Sequence, residues 1–596
     1  MAARWNGVAA LVLALLTFGA LVAPLCQAAA GAAVDEDAES LTAELRKARP
    51  PRQRTRAVKI PPPPPKSTSS GPTVATAKPP PPPNEITIEG GLSVIFLEMG
   101  NPLFVLDLGD GDRIPILINQ TDAEKYLGYK IRVRLAPNDL SALAENKPVP
   151  VQGIQVIGTL QSRSQQKEGV APGGGSKILK AVVFLVSTCG YPAAITPSAL
   201  RSLFFNGPST SSDAVTMQNA YKYCSQGIVA MNSSTVEIIE VKLPCTGNIT
   251  SVLFRTFNFT EAKSSCSILA YQDMLRLASN YYVNNVLGQN LAKDQPLRVL
   301  VIPRELAVYC EWLGFGLTGA ASSSEAYVNG VYANDLYAYM RQLGYSYFSL
   351  PRAVGGLYGY DDDPSSIMGR GRYCFNAPNL WRLGWVSPVP GGDFNGTTLT
   401  VGQPRTFYLP GQNTNRQSYV RINPTWAITG REIYNNKTQM PIPVFFIAHR
   451  YQESVFDTFS PPTSSIYVYS YKGSQDGQSL DQSYRVATLT STSRVYRGPY
   501  GLVVRFTSSV TSWFGGNATV VICRASGETE NTDAESCSDG LDNDCDGRVD
   551  SADPDCANTP RASPPPPSPR PSKQPSPSPP RRQPSPGSSK ATSTSG

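Results

Sequence analysis

The chain has 596 residues, room for roughly four domains, and its 41% hydrophobic content with a long apolar, aromatic-rich middle excludes wholesale disorder. Only one long apolar run exists, at the N-terminus, which excludes a polytopic membrane protein. The formal net charge of +7 is carried by proline-rich ends in a chain without a base-stacking motif, which argues against nucleic acid, and a single histidine excludes any site built from two or three imidazoles.

Residues 1–30 read as a secretory signal peptide. Arg4 supplies the positive start, 8–22 the apolar run, and Ala28, Ala29 and Ala30 the small residues for cleavage. A membrane anchor is the alternative, but the run is short and a proline-rich segment follows, so no membrane contact is expected after cleavage. Of the 11 cysteines, Cys26 leaves with the signal, and the even remainder fits disulfides of an oxidising compartment. Sequons at Asn119, Asn232, Asn248, Asn258, Asn395, Asn436 and Asn517 fit a glycosylated secreted protein.

Residues 31–84 form a linker, since the proline runs 61–65 and 79–83 adopt polyproline II and pack no core. Short alternating runs over 85–165 predict a small β domain of barrel-like form. A Gly-rich joint follows at 166–176. Over 177–390, strands at 180–186, 236–243 and 297–302 alternate with helices at 198–205, 217–223, 270–287 and 327–343, an α/β pattern. Residues 391–525 return to strands only and predict a β-sandwich. A Cys/Asp-rich motif fills 526–557. The Ser-Pro tail 558–596 holds six basic residues and no acid, so it attracts acidic polysaccharide or is a solvated stalk with incidental charge.

Several patterns in the middle resemble one family. They are NAYKYCSQG at 219–227 with VKLPCTG at 241–247, CEWLGFG at 310–316, and YDDDPSSIMG at 360–369 continuing to YCFNAPNLWRLGW at 373–385. Their order resembles gametolysin and the related volvocine algal matrix metalloproteases, a metzincin-like branch of zinc peptidases. The resemblance implies a multidomain chain with an α/β metzincin-like peptidase domain at 177–390. A prodomain-like β domain and a C-terminal sandwich would flank it, and Met368 would lie in the Met-turn. It also implies secretion into an algal extracellular matrix or cell wall.

The same resemblance requires H-E-x-x-H-x-x-G-x-x-H ahead of the Met-turn. Two histidines at i and i+4 share a helix face and hold zinc, the glutamate takes a proton from zinc-bound water, and a third ligand follows a glycine turn. Here RQLGYSYFSLP occupies 341–351. Arg341, Tyr345 and Pro351 fall on the ligand positions, Gln342 on the base and Phe348 on the glycine. Arginine has no acceptor lone pair and proline no ligand atom. Losing a general base alone costs about 10²–10⁴ in rate. Zinc is therefore expected to be absent, and the chain to be a pseudoenzyme with a binding or structural role. An active metalloendopeptidase acting on Hyp-rich wall glycoproteins is the alternative that family resemblance alone implies. Arg341 should be buried and paired, with Asp361, Asp362 or Asp363 favoured over Glu325. The lone histidine, His449, sits in a strand pattern and is expected to be packed rather than functional.

The sequence CSDGLDNDCDGRVDSADPDC over 537–556 places Asp542, Asp544 and Asp546 at loop positions 1, 3 and 5, Gly547 at 6, Asp550 at 9 and Asp553 at 12. That is calcium-loop spacing, with hard oxygen ligands wrapping one cation, so one Ca²⁺ is expected. Cys523, Cys537, Cys545 and Cys556 should supply two disulfides. Expected partners are matrix or wall glycoproteins and acidic polysaccharides.

Overall fold

The structure, a computed structural model, describes residues 86–557 apart from internal segments, the longest being 161–176 and 283–296. The signal peptide, the first linker, the joint at 166–176, the tail 558–596 and Asn436 lie outside the described residues.

Strands β1 (Ile86–Leu97), β2 (Leu103–Asp107), β3 (Arg113–Leu117), β4 (Tyr129–Leu135), β5 (Val149–Pro150) and β6 (Gly153–Thr159) build the N-terminal region, with helix α1 (Gln120–Tyr126) between β3 and β4. β1 pairs β2, β2 pairs β3, and β3 pairs β5 in parallel. β6 follows directly on β5 and pairs β4, which pairs back to β1. The ring is closed. Alternation sends Leu92, Val94, Leu106, Ile114, Ile131 and Val133 into the core.

In the middle, β7 (Lys177–Ile178) pairs β9 (Val229–Ala230), and β11 (Thr246–Ile249) pairs β12 (Arg255–Asn258). The main strands are β8 (Ala181–Ser187), β10 (Val236–Lys242), β13 (Leu297–Val301), β14 (Gly314–Gly319) and β15 (Ser324–Val328), in the order β10-β8-β13-β15-β14. All pairs are parallel except β14 with β15. Helices α2 (Pro197–Phe204), α3 (Met217–Cys224), α4 (Phe259–Ser265), α5 (Ile268–Tyr282), α6 (Arg304–Ala307), α7 (Leu336–Ser346) and α8 (Ala377–Arg382) complete the α/β content. β8 is apolar throughout because both faces are buried: Val183 and Leu185 point to one core, Val182, Phe184 and Val186 to the other.

Three expectations change. The N-terminal β region does not have a sheet of its own, because Ser93–Leu97 of β1 pair antiparallel with β14 and carry the sheet from the barrel into the middle of the chain. Buried ion pairs reinforce that junction. Arg113 forks onto Glu325 with two 2.8 Å bonds, Glu325 also accepts from Arg298 and Tyr327, and Arg276 of α5 pairs Asp112. The helix expected over 327–343 begins only at Leu336. Tyr327 belongs to β15, and Asp335 caps α7 by accepting from Tyr337 N–H.

The third change concerns the C-terminal strands. These are β16 (Ala353–Gly355), β17 (Asp361–Asp362), β18 (Ser387–Phe394), β19 (Arg405–Pro410), β20 (Gln417–Ile422), β21 (Arg431–Tyr434), β22 (Thr438–Pro441), β23 (Val444–Arg450), β24 (Ser465–Tyr471), β25 (Ser483–Leu489), β26 (Val495–Arg497), β27 (Leu502–Ser512) and β28 (Gly515–Arg524). β21 and β22 pair with each other. Two larger sheets, β17-β16-β25-β24-β23-β20-β18 and β19-β28-β27-β26, share one core through Val420, Ile447, Val468, Val504 and Val520. The first sheet starts well before residue 391. Its other face, through Tyr419, Phe446, Tyr467, Tyr469 and Tyr471, packs into the core that holds α7 and α8. The sandwich and the α/β region are therefore not separate bodies of apolar packing.

Five disulfides join Cys189–Cys245, Cys224–Cys374, Cys266–Cys310, Cys523–Cys545 and Cys537–Cys556. Among the described residues, no helix is long and apolar enough to cross a membrane.

Candidate functional site

Helix α7, of sequence LYAYMRQLGYS, is buried on nearly every side, its polar residues Arg341, Gln342 and Ser346 included. Two glycines set its position. A Cβ on Gly344 would lie 2.3 Å from Met368 Sδ, so the Met368 turn rests directly under the helix. A Cβ on Gly316 would lie 2.6 Å from Tyr345 Cβ, so α7 lies directly against β14.

Arg341 and Tyr345 are one turn apart on that helix, and their tips meet: Arg341 Nε donates to Tyr345 Oη at 3.4 Å. Arg341 Nη2 lies 3.7 Å from Asp362 Oδ2, with only 5% of its side chain exposed. Asp362 is held in turn by Arg352. On the other side, Phe96 of β1 stacks on Tyr345 with centroids 5.5 Å apart and planes at 19°. Phe96, Tyr345, Arg341, Asp362 and Arg352 thus form one continuous run of contacts. Gln342 is fully buried, and its amide makes no hydrogen bond among the described residues. Pro351 is buried. Phe348 fills the core against Phe375 and Trp385, while the left-handed turn falls one residue later, at Ser349 with φ 51°.

Of the acids weighed as partners for Arg341, Asp362 has that role. Asp363 is engaged by Ser365, Asn376 and Arg485. Glu325 holds the barrel instead, a role its sequence context does not announce because Arg113 lies 212 residues away. The side chain of Asp361 is outside the described residues. The residues at the expected zinc positions do not fit zinc: a guanidinium paired with Asp362, a phenol oxygen that accepts from that guanidinium, and a proline with no ligand atom offer no nitrogen lone pair.

His449 lies on β23, buried, with Nε2 2.7 Å from Ser464 Oγ and its ring stacked on Tyr451. Neither contact is a carboxylate, so no serine triad forms around it. Burial pushes its pKa down to about 4, against a weaker upward pull from the Leu409 backbone. A depressed folded pKa means that its contribution is complete above the unfolded value near 6.5 and is lost as pH falls towards 4. His449→Gln should therefore lose less stability than the natural chain across that window, by up to about 3 kcal/mol. Urea midpoints at pH 7 and pH 4 for both proteins measure it.

A family described as gametolysin peptidase M11 matches residues 178–495. The chain belongs to that peptidase family. An autolysin of Chlamydomonas reinhardtii is 26% identical over 497 residues, covering 70% of this chain and 75% of the relative.

The second site is the acidic loop. Gly547 at loop position 6 takes φ 98°, a conformation that favours glycine. Asp542 Oδ2 accepts from Gly547 N–H at 3.0 Å, and Asp544 Oδ1 from Asp546 N–H at 2.9 Å. The loop is fastened to the sandwich by Cys523–Cys545, by Asp542 N–H on the Gly402 carbonyl and by Arg497 on the Asp544 carbonyl. Asp542, Asp544 and Asp553 are buried together, and Asp546 joins them on the exposed side. Asp550 does not join: its carboxylate accepts from Gly540 N–H. Glu530, which sequence spacing missed, is buried beside Asp542 and Asp544 and accepts from the N–H groups of Asn543 and Asp550. Glu530 stands in SGETENTD, beside Glu528 and outside the spaced aspartates, so it carries no periodic signal. Two carboxylates about 5 Å apart repel by roughly 3 kcal/mol at an effective dielectric of about 20. Burial raises the pKa values of Glu530, Asp542 and Asp544. Either a proton or a bound cation relieves that repulsion.

Of the sequons, Asn119, Asn248, Asn395 and Asn517 are exposed, and Asn232 and Asn258 half-buried. Asn119 and Asn258 cap α1 and α4.

Proposed function

We propose that this family member is a secreted, catalytically silent glycoprotein of an algal matrix or wall, a pseudo-metallopeptidase whose role is binding or architecture. The observation that carries this is the set Arg341, Gln342, Tyr345 and Pro351 at the expected zinc and base positions, with Arg341 paired to Asp362 and Tyr345 stacked on Phe96. A second feature supports it. An extended peptide entering beside α7 would add to the β14 edge by main-chain pairing, and β1 already occupies that edge. The relative named autolysin supports an extracellular setting. The acidic loop is read as holding Ca²⁺, from hard oxygen donors alone. The basic tail and proline linkers suit acidic polysaccharide or Hyp-rich glycoproteins as partners.

The full mature protein, loaded in turn with Zn²⁺, Cu²⁺ and Ca²⁺, should leave casein and algal wall glycoprotein intact. Chelator-sensitive cleavage that disappears in Arg341→Ala or Tyr345→Phe would overturn the proposal in favour of the active metalloendopeptidase.

A further inference from the structure

The acidic carboxylates do not form one group. Donor atoms around a single calcium lie at most about 5 Å apart, twice the usual Ca–O distance. Glu530, Asp542 and Asp544 offer atoms within 4.8 Å of one another, and so do Asp544, Asp546 and Asp553. The two sets share Asp544 alone. Each set also contains a buried carboxylate oxygen with no hydrogen bond: Oδ1 of Asp542 in the first, Oδ2 of Asp553 in the second. Asp542 is 1% exposed and Asp553 3%. Two arginines face the cluster, Arg505 at 3.7 Å from Asp542 and Arg497 at 3.7 Å from Asp544, against five carboxylates.

We infer that this segment holds two neighbouring calcium ions bridged by Asp544, the inner one completed by Glu530 and Asp542, the outer one by Asp546 and Asp553. The inference rests on the calcium reading of the loop. Oxygen-only donors and the absence of any histidine or thiolate in either set select a hard cation over zinc or copper. Asp546 is the exposed member, so the outer ion keeps solvent ligands and should bind more weakly than the inner one. Glu530 organises the loop as well, because it accepts the Asn543 and Asp550 N–H groups while facing the inner ion. Loading the inner ion would thereby order the stretch that carries Asp550 and Asp553.

The test is calorimetric titration of the full mature protein with CaCl₂ after chelation, with bound calcium counted by atomic emission. Two ions per chain are expected, in two resolved affinities at least about tenfold apart. Asp553→Asn should abolish the weaker phase and keep the tighter one. Glu530→Gln should abolish the tighter phase, and Asp544→Asn should remove both. Terbium luminescence of the same variants gives an independent count, and near-ultraviolet dichroism shows whether each is folded. A single ion in the natural chain, whose affinity falls with both Asp553→Asn and Glu530→Gln, would overturn the two-ion site and leave the calcium reading intact. No bound calcium would overturn both.

Discussion

The variant R341H/Q342E/Y345H/P351H should retain about one zinc per chain after dialysis, where the natural chain retains none. The geometry supports this expectation. Positions 341 and 345 lie one turn apart on α7, and their present side chains already touch at 3.4 Å, so two imidazoles there would converge on one point. Removing Arg341 leaves Asp362 paired with Arg352, so no carboxylate is stranded. Position 351 follows the left-handed turn at Ser349, which brings the chain back as a third ligand requires. Cleavage should stay below detection even so, because Phe96 still lies over position 345 and β1 still holds the β14 edge. Metal analysis and a casein assay read the two outcomes separately. If the four substitutions fail to recruit zinc in a folded protein, the 341–351 backbone does not follow the ligand register. Stoichiometric zinc in the natural chain would contradict the silent-site reading.

Arg113→Met should destabilise the protein by about 3–5 kcal/mol at neutral pH, the range for removing one member of a buried ion pair. Glu325 would keep Arg298 and Tyr327 but lose its bidentate partner. Burial alone would push the Glu325 pKa up, but Arg113 and then Arg298 outweigh it and hold the carboxyl at about 2. The folded pKa lies below the unfolded value near 4.5, so this stabilisation is present above pH 4.5 and is lost as pH falls towards 2. The natural chain should therefore lose stability steeply through that window and Arg113→Met much less. Urea unfolding at pH 7 and pH 3 checks both, and adding Glu325→Gln should restore part of the loss by removing the stranded charge.

Local pattern made most single strands legible. The runs at β8, β13 and β24 are mostly apolar and β10 mixes apolar with charged residues at strand spacing, so their existence follows from local pattern alone. What pattern could not supply was partnership. β1 reads as an ordinary barrel strand, and nothing in its residues says that its second half pairs with a strand at 314–319. The sandwich strands look like an independent domain because a continuous apolar run such as β23 reports two buried faces without saying what buries each. The helix boundary near 327 failed for a related reason. Tyr327 is apolar at helical spacing from α7, yet its hydroxyl is committed to Glu325 within β15. At the sites, chemistry was more legible than packing. The lack of histidine over 341–351 follows from residue identity, whereas Phe96 over Tyr345 comes from a distant segment and Glu530 from outside the regular aspartate spacing, so only the fold places them.

The strand shared between the barrel and the central sheet also fixes an order of assembly. Contacts within the barrel are local, so it can close soon after its own residues are made. At that moment Ser93–Leu97 present an open edge, and Arg113 lacks the glutamate that neutralises it. Both needs are met only when β14 and β15 emerge, after most of the α/β region has been synthesised. Until then the nascent chain carries a sticky, charged seam whose intended mate does not yet exist.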